Sequence, residues 1–393
     1  MTRLGLAGLA STALLVPAVS AGAAAGTASR PAVTHAVELR PTSVLHTPAP
    51  VWTLGLGGPR VAYASAGRIY VWNVATGGKS VIKGEYSNAK HTQNAAEVAI
   101  AGTHIAWIKR FEQGNTEMPQ RLYTATVGGT AHRLRSVLGF TNTDCGSGAS
   151  QIAGLVSSGA SLAVSTWKYN SNGTEHSNER LNIVTPTKLR PIAFGPAAVS
   201  SAAADADHIA VVPLESATMG PDYCEESPST SVDVFAWHRS TPYKIATGPS
   251  ASVAISGKRL FVLTPPCFAG SPSCPSNPPP PQLDVYDWST GALTHTWPAV
   301  GASAHLGPRQ VGHVQAYGRL VLYSVYRKYI GGDEVLHLLD LETGRDLTIA
   351  TVRGYGDDRA WAIGPRGLVY VDNARGKGKL VFVAMAKLRA LVG

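Results

Sequence analysis

Charge is scarce in this 393-residue chain, with Asp, Glu, Lys and Arg together making up 15%. That is too little charge, beside 44% hydrophobic side chains, for a disordered solvated chain. The balance is basic, a formal +9, yet no run of five or more Lys or Arg occurs. A concentrated basic face for a polynucleotide is therefore missing, and no nucleic-acid partner is expected. After residue 30 no stretch approaches the roughly 18 apolar residues of a membrane span, so none is expected in a mature chain. Catalytic signatures are missing too. There is no Cys-x-x-Cys, His-x-His or His-Glu-x-x-His pattern for zinc, and no Gly-x-Ser-x-Gly elbow for a hydrolase serine. Asp205-x-Asp207 and Asp357-Asp358 lack the downstream Glu of a calcium loop and read as turn aspartates. No metal and no cofactor are expected.

Cysteine is also rare, with four residues and none before Cys145, which excludes an N-terminal lipid anchor on cysteine. Residues 1–30 read as an export signal. Arg3 supplies the positive start, Leu4 to Val16 the apolar stretch, and small residues follow Pro17, with cleavage near Ala21 or Ala23. The chain is thus expected to be secreted or otherwise outside the cytoplasm, where cysteines pair. Cys267 and Cys274 flank a short loop and are expected to pair with each other, leaving Cys145–Cys224 as a longer staple.

What the chain does contain is glycine (41), proline (26) and strand-forming aromatics, which favour short strands over helices. An apolar tripeptide recurs seven times: Val61-Ala62-Tyr63, Ile105-Ala106-Trp107, Leu162-Ala163-Val164, Ile209-Ala210-Val211, Leu260-Phe261-Val262, Leu320-Val321-Leu322 and Leu368-Val369-Tyr370. The spacings run from 44 to 60 residues. Each is followed by an alternating strand, among them Ile69 to Trp72 and Leu283 to Trp288. Several of these end in a Thr-Gly turn at Gly77, Gly291 or Gly344. No amphipathic helix is expected after residue 50. The fold class is all-β, a seven-bladed β-propeller of four-stranded blades. The blades are placed at about 50–90, 91–140, 145–197, 198–249, 250–303, 308–355 and 356–393. Residues 31–49 form a lead, in which Ala36 to Arg40 alternates like a strand and is expected to latch the ring against Ala384 to Leu391.

Two turns carry a family resemblance. Ile255-Ser256-Gly257-Lys258-Arg259-Leu260 and Ile363-Gly364-Pro365-Arg366-Gly367-Leu368 are similar to the entry to the second strand in the TolB-like/WD40-like (PD40) propeller superfamily. Val285 to Gly291 and Leu338 to Gly344 resemble its aspartate-bearing third strand and Thr-Gly turn, although the Pro-Asp-Gly turn of PD40 repeats is absent. The resemblance implies the propeller fold rather than an activity.

In such a ring the connections from second to third strand and from one blade to the next open on one face. The long ones here start at Phe111, Lys168, Glu215, Thr264 and Arg327, and all four cysteines fall on that side. Residues just ahead of the first strands are expected to ring the channel mouth: Trp52, Glu97, Gln151, Arg309, His313, Asp358 and Arg359. With no catalytic constellation in view, the leading expectation is a secreted, monomeric, non-enzymatic propeller. It would bind a protein, peptide or glycan through its disulfide-stapled long-loop face. The rivals are a hydrolase or lyase acting on a carbohydrate or lactone at the mouth, with carboxylates assembled from different blades, and an adaptor of a larger envelope assembly.

Overall fold

The computed structural model describes residues 37, 39–84, 95–110, 119–138, 150–169, 176–194, 198–219, 224–239, 241–248, 250, 252–264, 281–298, 311–326, 334–352, 360–373 and 378–393. An N-terminal strand, β1 (Ser43–Thr47), precedes seven antiparallel sheets. The first is β2 (Val51–Gly57), β3 (Arg60–Ser65), β4 (Arg68–Asn73) and β5 (Lys79–Val81). The second is β6 (Ala95–Ala101), β7 (His104–Arg110), β8 (Gln120–Thr126) and β9 (His132–Val137). The third is β10 (Ser150–Ser157), β11 (Leu162–Tyr169), β12 (His176–Val184) and β13 (Leu189–Phe194). In the fourth, β14 (Val199–Ala204) and β15 (His208–Met219) are followed by β16 (Cys224–Pro228), β17 (Ser231–Ala236) and β18 (Tyr243–Ala246). The fifth is β19 (Ser252–Ser256), β20 (Arg259–Thr264), β21 (Gln282–Asp287) and β22 (Ala292–Pro298). The sixth is β23 (Val311–Tyr317), β24 (Leu320–Tyr326), β25 (Glu334–Asp340) and β26 (Asp346–Val352). The last comprises β27 (Trp361–Gly364), β28 (Gly367–Asp372) and β29 (Gly378–Ala384), and β1 supplies its outermost strand.

The first strands of the sheets touch in cyclic order, β2 to β6, β10, β14, β19, β23, β27 and back to β2, so the ring closes. This is a seven-bladed β-propeller. A blade has two apolar faces and cannot cover both by itself, and the hydrophobic clusters follow that logic, one to each seam between neighbours. Ile69, Val71 and Ile82 of blade one, for example, pack against Ile100, Ile105 and Trp107 of blade two. Tyr63 and Trp72 close the ring against Val369, Leu380 and Phe382 of blade seven. At about 1.5–3 kcal/mol for each fully buried large side chain, the seams hold the ring together.

The latch differs from the expectation. Ser43–Thr47 pairs with blade seven in the register Ser43 to Phe382 and Thr47 to Gly378. The segment Ala36 to Arg40, where described, instead gives one backbone bond, from Val37 N–H to Thr348 of blade six (3.0 Å), and buries Leu39. Its expected partner is not a strand at all, because Met385–Val392 forms helix α1. The helix buries Met385, Leu388 and Val392, spaced three and four residues apart, against the seam of blades six and seven. The loop expected from Glu215 to Ser231 is also built differently. β15 runs on past the blade and doubles back through β16, with Met219 opposite Cys224.

The Thr-Gly turns have one shared construction. Asn73, Asp287 and Asp340 each accept from the backbone N–H two residues on, at 3.0, 2.9 and 2.9 Å. Each also takes the N–H of the turn glycine on its own carbonyl at 2.8 Å. The glycines sit at φ +74, +73 and +66, a region that penalises any residue with a Cβ. Among the described residues no helix is long and apolar enough to cross a membrane.

Candidate functional site

The innermost strand of each blade is an edge strand, and its backbone groups on the channel side have no partner within the blade. Polar side chains of the preceding blade supply the partners. The Glu97 carboxylate of β6 accepts from the N–H groups of Gly154 (3.3 Å) and Leu155 (2.6 Å) in blade three. Gln315 of β23 donates to the Trp361 carbonyl and accepts from Ile363 N–H, both at 3.1 Å, tying blade six to seven. Ser201 and Ser252 accept in the same way from Val253 (3.2 Å) and Val314 (3.1 Å). At the closure, Asn373 bonds both backbone groups of Val51, at 3.0 and 2.7 Å, as a strand residue would.

This pattern decides where the expected mouth residues stand. Glu97 is half-buried and directed into the neighbouring blade's backbone. Gln151 is buried and accepts from Gln120 Nε2 at 2.6 Å, while Gln120 Oε1 takes the Ile152 N–H at 2.7 Å. Trp52 stands in a separate cavity of about 130 Å3 between blades one and two, beside Arg68 and the buried Lys109, whose ammonium lies 5.7 Å from the centre of the Tyr123 ring. Of the four described candidates, His313 lines the central channel. Arg309, Asp358 and Arg359 lie outside the described residues, as do Cys145, Cys267, Cys274 and the side chain of Cys224, so neither expected disulfide is described.

The channel is a cavity of about 130 Å3 lined by all seven first strands, chiefly by Ala, Val, Leu, Gly and Ser. Near its end on the long-connection side lies a buried polar chain that the sequence reading missed. His313 N–H donates to Ser324 Oγ (2.9 Å), Ser324 donates to Glu334 Oε1 (3.0 Å), and Trp361 Nε1 donates to Glu334 Oε2 (3.2 Å). Glu334 is 4% exposed, and its two carboxyl oxygens are hydrogen-bonded by groups from two blades. Gly312 permits this packing, since a Cβ there would stand 2.1 Å from Ser324 Oγ and 2.9 Å from Glu334 Oε1. A Glu opening a strand otherwise apolar but for His337, Val335 to Leu339, was the available signal. A second buried set in blade six joins Tyr323 and His337 to Asp346. The tyrosine hydroxyl bonds one carboxylate oxygen and His337 Nδ1 stands 3.3 Å from the other.

The turn reading of Asp205 stands, since its carboxylate accepts from Asp207 and His208 N–H (2.9 and 2.8 Å) and from Gly257 N–H of blade five (2.8 Å). Among the described residues no three His, Cys, Asp or Glu side chains come together as a metal site.

No protein-family model and no curated protein matches the chain. Solved structures are similar to it. One is a chain of the mitotic checkpoint complex, at 14% identity and TM-score 0.47, over 98% of this chain and 99% of that one. Another is the β-propeller domain of the Trilobed protease from Pyrococcus furiosus, at 15% identity and TM-score 0.45, over 85% and 95%. The Pan2 WD40 domain of Neurospora crassa matches at 11% identity and TM-score 0.43, over 87% and 94%. At these identities and scores they are similar in outline to the architecture described above.

Proposed function

We propose that this chain is a secreted, non-enzymatic propeller that binds a protein, peptide or glycan with the face carrying its long connections. The observation that carries the reading is the use made of its polar side chains. Those reaching the inner strands, Glu97, Gln315, Ser201, Ser252 and Asn373, are hydrogen-bonded to the next blade's backbone. The channel between them is narrow and lined by small and aliphatic groups. Chain is invested instead in connections that join Arg110 to Gln120, Thr264 to Gln282 and Tyr326 to Glu334, all leaving the same end of the ring. The reading of residues 1–30 as an export signal supplies the compartment. The proposed pairs Cys145–Cys224 and Cys267–Cys274 would preorganise that face and lower the entropy lost on binding.

The test is to display peptide and glycan libraries to the full mature chain and to a variant in which residues 266–280 and 328–333 are replaced by short Gly-Ser connections. Binders of the full chain that the shortened variant loses support the reading. Uncharged binders retained at full affinity would overturn the reading, and turnover of a glycan or lactone would move the account to the hydrolase or lyase alternative.

A further inference from the structure

On the opposite end of the ring the first-to-second-strand turns of blades five and six and the last turn of α1 enclose a groove of about 730 Å3. Its charge is one-sided: Lys258, Arg259, Arg319 and Arg389 line it against the single carboxylate of Glu342. Arg319 is already engaged, with Nε 3.0 Å from the buried Asp340 carboxylate and a second guanidinium nitrogen on Glu342. Lys258, Arg259 and Arg389 are exposed, and no ion pair engages them among the described residues, although the Lys258 charge does reach Asp287. Arg389 lies where it can offset the carbonyls at the end of α1. With Arg389 at the helix end and Lys258 reaching Asp287, Arg259 is left without an explanation.

The turns that line the groove are hydrogen-bonded to their neighbours. Gly318 N–H donates to Ser256 Oγ (2.9 Å), Gly257 N–H to Asp205 (2.8 Å), and Trp288 Nε1 to the Gly257 carbonyl (2.7 Å). An anion placed in the groove would meet several of these cations at once. Guanidinium forks match the oxygens of phosphate and sulfate in pairs. The volume falls within the roughly 300–1,000 Å3 of small-ligand sites.

We propose that this groove binds a compact polyanion bearing two or more phosphate or sulfate groups, independently of the long-connection face. Tripolyphosphate and inositol hexasulfate are titrated calorimetrically, the first arm reading phosphate and the second sulfate. Targets are the full mature chain, the double variant Arg259→Gln/Arg389→Gln, the single variant Lys258→Gln, and Lys188→Gln in a turn of blade three as control. At least one probe is expected to bind. Its affinity should fall about tenfold or more in the double variant, fall measurably in Lys258→Gln, and stay unchanged in Lys188→Gln and in the loop-shortened chain. All the altered side chains are exposed, and near-UV circular dichroism verifies that each variant is folded. Failure of both probes to bind, equal binding by wild type and the double variant, or tighter binding of a hexaglutamate peptide than of either probe would overturn the proposal.

Discussion

Glu97, expected at the channel mouth, stands in β6 with its carboxylate on the backbone of the next blade. A carboxylate beside an inner strand was legible in the sequence. The N–H donors it accepts from were not, because they belong to Gly154 and Leu155, 57 and 58 residues away. As a clamp holding two backbone N–H groups, Glu97 should matter to stability. Glu97→Ala is expected to lower unfolding stability by about 1.5–3 kcal/mol in denaturant titration, because hydrogen bonds to a charged group are the stronger kind. No loss of stability would show the clamp to be idle. Asp233 makes the opposite case. It is 1% exposed, its Oδ1 has no hydrogen-bond partner among the described residues, and burial pushes its carboxyl above the ordinary 3.8, with Lys244 pulling the other way. The folded protein then holds this proton more tightly than the unfolded chain. Its contribution to stability therefore falls as pH rises from the unfolded value through the raised folded one. Asp233→Asn should raise the thermal midpoint near pH 7, with the gain fading towards about pH 3. An equal gain at both would contradict the burial argument.

Elements were legible wherever the signal was local. The second-strand tripeptides and the Asx-Thr-Gly turns are written within a few residues, and each strand they imply is present. The latch was not local. Ala36 to Arg40 alternates and Ser43 to Thr47 does not, yet Ser43 to Thr47 is the strand, because the choice depends on a partner more than 330 residues away, Gly378–Ala384. Helix α1 was not expected, and its segment was the expected partner of the latch. The deciding signal was the spacing of Met385, Leu388 and Val392, which puts all three on one helical face and leaves Ala386, Lys387, Arg389 and Ala390 outside it. Leu388 is fully buried, so Leu388→Ala should cost about 2–5 kcal/mol, measured by chemical denaturation. A cost under about 1 kcal/mol would mean that the helix is dispensable to the seam of blades six and seven. Asn373→Ala removes both bonds to Val51 and should destabilise by about 1–3 kcal/mol, and it should speed hydrogen exchange first in β2 and β28. Uniform acceleration around the ring would show that closure is not held at that point.

For the whole molecule, the ring follows from composition and repeat. Short two-faced sheets bury both faces only by stacking radially, and the last must meet the first. Function is less legible at this scale. A propeller presents two ends, and what each end recognises is assembled from segments that the sequence lists far apart. The groove on the short-turn end draws on Lys258, Arg319 and Arg389, which no spacing rule would join. The central claim is that recognition belongs to the long-connection face, with the inner-strand polar residues serving the seams. Its most direct test is hydrogen exchange of the full mature chain with and without the tightest binder from the displayed libraries. The account predicts slowed exchange confined to the segments joining Arg110 to Gln120, Thr264 to Gln282 and Tyr326 to Glu334. Protection concentrated instead on the channel-lining strands β6, β14 and β23 would contradict it and place the site inside the ring.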